Sequence, residues 1–230
     1  MADSIHQGHR KRMRERFLKT SLNGYQPHEL LEILLYYGIP RVDTNPIAHE
    51  LLNTFGSLRG VLSAEPDQLK RVRGMTEPAV CLITLLRAMY EYDIAEQNTG
   101  KELASFATIC DYFAELYRFE QREVVRAAFL DEHLHLLECA VIGEGHPSAA
   151  ELSVRRLTER AYAAGSNVVV LAHNHPQGSA APSDTDIAVT RQLAVVLQAC
   201  GISLVDHIII GGGEAASLRE AGVFMGLDIK

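Results

Sequence analysis

The stretch Val168–Asp186, VVVLAHNHPQGSAAPSDTD, sets an apolar run directly against a polar one. VVVLA reads as a buried strand by its length and β-branching. His173 and His175 stand at the strand end, and Pro176 turns the chain. Ser183 and Asp186 open the next helix, expected from about Asp184 to Ala199 and closed by Gly201. A buried strand, a turn and a helix are parts of an α/β layer.

The neighbouring segments extend that layer. EVVRAAFLDE and HLHLLECAVIG read as two strands turning at Asp131–His133. A helix is expected at about Ala150–Ala163, closed by Gly165. ISLVDHIIIG reads as a second buried strand, followed by a GGG turn. Upstream, a helix is expected near Ser105–Tyr117. The first half reads as helices only. Pro27 opens HELLEILLYYG, Thr44 caps a helix ended by Gly56, Asp67–Val72 is short, and Pro78 starts a longer apolar helix. The polar stretch AEQNTGKELA breaks the pattern. The expected organisation is a helical domain at 1–95, a linker at 96–104 and an α/β domain at 105–230.

Composition excludes several classes. The chain has 230 residues, 47% hydrophobic and 22% charged, so it is neither disordered nor in need of staples for a core. Its 17 Gly and 8 Pro follow no short period, which excludes a fibrous repeat. The cysteines Cys81, Cys110, Cys139 and Cys200 form no CxxC pair, which excludes a cysteine-rich zinc module and a thioredoxin-type redox pair. Scattered cysteines, no apolar leader and no membrane-length apolar run lead to the expectation of a cytoplasmic protein. Charge is uneven. Residues 1–95 hold 12 Lys and Arg against 11 Asp and Glu, and residues 96–230 hold 10 against 18. Arg10, Lys11, Arg12, Arg14, Arg16 and Lys19 form a cluster able to neutralise phosphates, or simply a solvated helix.

LKRVRGMTEPAVCLITLL has the outline of a helix–hairpin–helix, in which helix N-termini hold a DNA phosphate. Gly74 and Ala79 fit the hxGhGxxxA pattern, whereas Thr76 stands at the second glycine and Glu77 follows it. An ordinary interhelical turn is the competing reading.

The chemistry concentrates in H-x-H-P, followed by S-x-x-D. Two imidazoles and a carboxylate suit zinc, and three protein ligands leave a position for water. Ser183-x-x-Asp186 also reads as a capping box, and the two roles are compatible. The second H-x-H, His133 and His135, shows that the spacing alone is not specific. An HNH nuclease spaces its three residues widely, and a zinc deaminase needs H-x-E with P-C-x-x-C. Neither fits. Glu138 shares a strand face with Leu130, Leu134, Leu136, Ala140 and Ile142, where a carboxylate needs a partner or a task. It is the first candidate for the base, with Glu144 in GEG as the alternative. Asp206-His207 is a polar pair in an apolar strand, either self-satisfied or orienting a metal-ligand histidine.

These residues resemble those of the RadC (UPF0758-like) family, whose C-terminal half is a JAB/MPN (JAMM) domain. The signature is an upstream Glu, then H-x-H-P, then S-x-x-D after seven residues. Glu138, His173, His175, Ser183 and Asp186 are matched to it, with AHNHPQG and the later Asp206-His207. The resemblance extends over ELLEILLYYGI and FGSLRGVLSA. It implies a cytidine-deaminase-like α/β fold behind a small helix–hairpin–helix-like domain. It implies Zn2+ on His173, His175 and Asp186, Glu138 moving the proton of water, and Ser183 stabilising an oxyanion. The run EGHPSAAELSVRRL departs from the family's usual Gly-Thr-Leu and Pro-Arg segment, with Arg155 in the Arg position.

Three readings compete. A zinc metallopeptidase or isopeptidase would act on a peptide or isopeptide substrate. A DNA-associated repair-type module would hold DNA through Arg10, Lys11, Arg12, Arg14 and the Gly74 hairpin, with a vestigial or structural metal. A phosphoesterase would want further carboxylates for a second metal, and none stands near the H-x-H block.

Overall fold

A computed structural model of the chain describes residues 2–145 and 154–227, with side chains from residue 8 onward. The chain divides into two compact units, Met1–Tyr90 and Glu91–Lys230. The first comprises α1 (Ala2–Thr20), α2 (Pro27–Gly38), α3 (Asn45–Phe55), α4 (Leu58–Ser63) and α5 (Pro66–Lys70). It also holds the start of α6 (Glu77–Asn98), which crosses the division.

Pro27 occupies the first turn of α2, and Glu29 Oε2 accepts the Gln26 N–H at 2.8 Å, so the helix starts where its free donors are answered. Its apolar face brings Leu31 and Leu35 against Leu51, Val61, Leu69 and Ile83, all almost fully buried. Each such side chain is worth about 1.5–3 kcal/mol of transfer free energy. Gly38 is demanded by close packing, since a Cβ there would lie 2.5 Å from Ala79 Cα. Buried Glu32 gathers three helices by accepting from Tyr36 Oη at 2.6 Å and Asn45 Nδ2 at 3.1 Å, with His9 Nε2 at 3.0 Å.

Two local expectations differ from what forms. Thr44 precedes α3, yet its hydroxyl donates to Glu32 O at 3.3 Å, and the Asn45 N–H goes to Asp43 Oδ1 at 3.1 Å. Helix α4 was not expected, because six residues carry too little periodicity. Ser57 starts it by accepting the Gly60 N–H at 3.0 Å.

The second unit adds α7 (Phe106–Leu116), β1 (Val124–Leu130), β2 (Leu136–Glu144), α8 (Val154–Ala164), β3 (Val168–His175), α9 (Asp184–Ala199), β4 (Ser203–Gly211) and β5 (Glu214–Ser217). The sheet order is β2-β1-β3-β4-β5, with β3 and β4 parallel and the other pairs antiparallel. Val125, Ala127, Phe129, Val169 and Leu171 face α8 and α9 through Leu157, Ala161, Val189, Leu193 and Leu197. Val124, Ala128 and Leu130 point to the other face and are equally buried. On that side the Tyr117 hydroxyl, just after α7, donates to Ala172 O at 2.8 Å. The architecture is therefore a helical region followed along the chain by a mixed sheet with flanking helices.

The stretch 96–104, expected as a linker, is instead fixed within this unit. Helix α6 runs to Asn98, Gly100 N–H donates to Leu136 O at 2.7 Å, and Leu136 N–H donates to Lys101 O at 2.9 Å. Strand β5 follows a Gly212–Gly213 turn with both φ positive, a hairpin too short to stand out in the sequence. The first residues of the helix expected at 150–163, and most of EGHPSAAELSVRRL, lie outside the described residues. No helix among the described residues is long and apolar enough to cross a membrane.

Candidate metal centre

Strand alternation places His173 and His175 on the face shared with Val169 and Leu171, which is the face covered by α9. Both residues lie within β3, so no departure from strand geometry is needed for the rings to meet. Their Nε2 atoms are 2.9 Å apart. Nδ1 of His175 lies 2.8 Å from Ser179 O, a carbonyl that can only accept, so this ring carries its proton on Nδ1 and a lone pair on Nε2. The loop that supplies Ser179 is pressed on Gly211 of β4, where a Cβ would lie 2.7 Å from Ser179 C and 2.8 Å from Gly178 O.

Asp186 arrives from the first turn of α9. Ser183 is the N-cap and accepts the Asp186 N–H at 3.1 Å. Its own N–H and hydroxyl donate to Asp186 Oδ2 at 2.8 and 2.6 Å. This capping box aims Oδ1 at His173 Nε2, 3.3 Å away, while Oδ2 lies 3.9 Å from His175 Nε2. Burial raises the Asp186 pKa, but the two Ser183 hydrogen bonds and the nearby histidines outweigh it, and the net shift is downward. The group is held as a carboxylate.

Four donors about 2.0–2.1 Å from a tetrahedral zinc stand roughly 3.3 Å from one another. The 2.9 Å between the two Nε2 atoms and the 3.3 Å from His173 Nε2 to Asp186 Oδ1 lie near that value, while the 3.9 Å contact to His175 Nε2 is made by the other carboxylate oxygen, Oδ2. The donor chemistry and the spacing both fit a metal ion.

A fourth side chain joins them. Ligand atoms of Glu123, His173 and His175 all lie within 4.8 Å of one another. Glu123 precedes β1, and the register Val125↔His173 brings that end of β1 beside the end of β3. Two residues before Val125, Glu123 shares its face. Asn174, on the opposite face from its histidine neighbours, fixes this arrangement. Its Oδ1 accepts the Val124 N–H and its Nδ2 donates to Arg122 O, each at 2.9 Å, so the amide brackets Glu123.

Glu138 is not brought to this cluster, and the expectation that it serves there is corrected. It pairs with Phe129, which pairs with Val169, four residues along β3 from His173. That is about 13 Å along the strand direction. Its carboxylate is instead bonded to Arg160 of α8, the partner that a carboxylate on that face requires. Glu144 sits at the nearer end but is ion-paired with Arg122 at 3.2 Å. Asp206 faces away from His207, as successive strand residues must. It accepts from Ser217 Oγ at 2.6 Å and from the N–H groups of His207 and Arg219 at 2.7 and 3.1 Å. Of that pair it is His207 that reaches the site, with Nε2 2.8 Å from His173 Nδ1. Burial first, then the neighbouring His173, push the His207 pKa down to about 3, so the ring is neutral.

The sequence holds family relatives to match this geometry. A family model described as RadC-like JAB domain matches residues 103–223. The chain belongs to the RadC-like JAB family. A second model, UPF0758 N-terminal, matches residues 6–81 ahead of the JAB domain. The UPF0758 protein FN0909 of Fusobacterium nucleatum is 30% identical over 231 residues, covering 97% of this chain and all of that protein. The JAB domain thus contains the entire histidine–carboxylate cluster.

In the helical unit, Arg10 donates to Ile39 O and Val42 O and lies over the Tyr36 ring, while Arg16 bonds Glu29 and Gly24 O. Both act as internal ties. Thr76 Oγ1 donates to Gly38 O at 2.7 Å and lies 3.4 Å from the Ala79 N–H, at the helix start where a phosphate would bind. Gly74 turns with φ 90° beside the Ile47 side chain.

Proposed function

We propose that this protein is a zinc-dependent hydrolase of peptide or isopeptide bonds. The observation that carries the reading is the convergence of His173 Nε2, His175 Nε2 and the Asp186 carboxylate beside Glu123. Zinc in such a site polarises a carbonyl and brings the pKa of a bound water to about 7. His173, His175 and Asp186 would hold the ion. Glu123 has the placement of the base, taking a proton at its carboxylate and returning it to the leaving amine. Ser183, expected to steady an oxyanion, directs its proton at Asp186 Oδ2, so its part here is to hold that carboxylate. A cleft of about 330 Å3, bounded by Gln121, Glu123, His175, Pro176, Gln177 and Gly178, gives the substrate access beside the base.

The test is hydrolysis of a panel of fluorogenic peptides and isopeptide-linked lysines by zinc-loaded protein. Turnover lost on chelation, restored by zinc and abolished in Glu123→Gln supports the reading. Turnover that survives both chelation and Glu123→Gln contradicts it, as does wild-type protein that binds no zinc.

A further inference from the structure

His173 and His175 are set by different means. His175 needs one hydrogen bond to a carbonyl. His173 meets another histidine, and two ring nitrogens 2.8 Å apart share a single proton whose owner is decided by their neighbours.

The decision can be followed step by step. Nδ1 of His207 lies 2.6 Å from Thr190 Oγ1. That hydroxyl also lies 2.6 Å from the main-chain oxygen of Asp186, an atom that can only accept. Thr190 has one proton and gives it to Asp186 O. It must therefore accept from His207 Nδ1–H. His207 is buried, with a hydroxyl at one ring nitrogen and an imidazole at the other and a carboxylate at neither, so it holds one proton, presents a lone pair on Nε2 and accepts from His173 Nδ1–H. The lone pair of His173 is left on Nε2, the atom that faces His175 and Asp186. Thr190, His207 and His173 are all 2% exposed or less, so bulk water has no access to reverse the order.

We propose that Thr190 and His207 are positioning residues that order these protons so that His173 offers Nε2, and not Nδ1, to a metal ion. The order originates at Asp186 itself. Its main-chain oxygen fixes the relay, and its carboxylate stands at the relay's end. The proposal rests on the metal reading above and deepens it.

Thr190→Val keeps the shape and removes the hydroxyl. His207 then has no acceptor at Nδ1 and carries its proton on Nε2. It donates to His173 Nδ1, which moves the His173 proton to Nε2 and closes the ligand atom. Thr190→Ser restores the hydroxyl. Two measurements decide the matter. Imidazole 15N–1H spectra of metal-free protein report the tautomers, and competition with a chromophoric chelator reports zinc affinity.

The expected result is Nδ1–H on both His173 and His207 in the wild type, a switch of both to Nε2–H in Thr190→Val, and a zinc Kd raised about 10–100-fold in that variant. Thr190→Ser should match the wild type in both. His173 protonated on Nε2 in the wild type overturns the proposal without any variant being made. So does Thr190→Val with wild-type zinc affinity. Wild-type protein that shows the expected tautomers yet binds no zinc upholds the proton order, overturns the purpose assigned to it, and removes the metal reading.

Discussion

His133-Leu134-His135 and His173-Asn174-His175 have the same spacing and opposite fates. The first pair lies in the turn between β1 and β2, where Leu134 takes φ 64°. Its rings stand 6.2 Å apart, and His135 is bonded to Asp131 at 3.1 Å while His133 is 72% exposed. The second pair lies in a strand with both faces covered. Its rings are 4.8 Å apart, their Nε2 atoms meet, and a helix N-terminus delivers a carboxylate to them. Spacing supplies two rings. Strand alternation, burial and the incoming first turn of α9 make them a site.

Glu123, just before β1, and Glu138, within β2, make the same point. Glu123 stands at the end that pairs with His173, and Glu138 stands at the end that does not. The largest expected effect separates them. Glu123→Gln should lower hydrolysis by about 10²–10⁴-fold, the usual weight of a general base, whereas Glu138→Gln should leave the rate within about twofold. Steady-state turnover of the two variants on one substrate checks this.

A smaller effect is expected where the loop carrying Ser179 leans on β4. Gly211→Ala inserts a methyl against Ser179 C and Gly178 O, and should cost about 1–3 kcal/mol of stability while weakening zinc binding through His175. Urea unfolding and chelator competition read the two consequences. The smallest effect belongs to the far end of the hairpin. Arg160→Ala removes a partly exposed ion pair with Glu138 and should cost no more than about 1 kcal/mol, with zinc content unchanged.

Much of this was legible in residue order. Val168–His175 and Asp184–Ala199 carried their own start and stop signals, and so did the S-x-x-D cap that presents Asp186. Glu123 was not legible, because its role depends on the antiparallel register of β1 with β3, a contact across 50 residues. Its signal was there in weaker form, two positions before Val125 on the inward face. The Glu138 carboxylate, on an apolar strand face, needs a partner. That partner, Arg160, comes from a helix whose rotation the sequence does not specify. The H-x-H pattern carries no sign of what Asn174 does, because its work is done on the other face of the strand. His207 looked like half of a pair with Asp206, whereas alternation sends the two to opposite faces.

The most direct test of the metal centre is elemental analysis of tag-free protein after zinc supplementation and gel filtration. Wild type should carry about one zinc per chain, as expected for one open three-ligand site. His175→Ala and Asp186→Ala should carry almost none, while His133→Ala should keep the wild-type content. Equal zinc in all four proteins, or none in the wild type, would contradict the account.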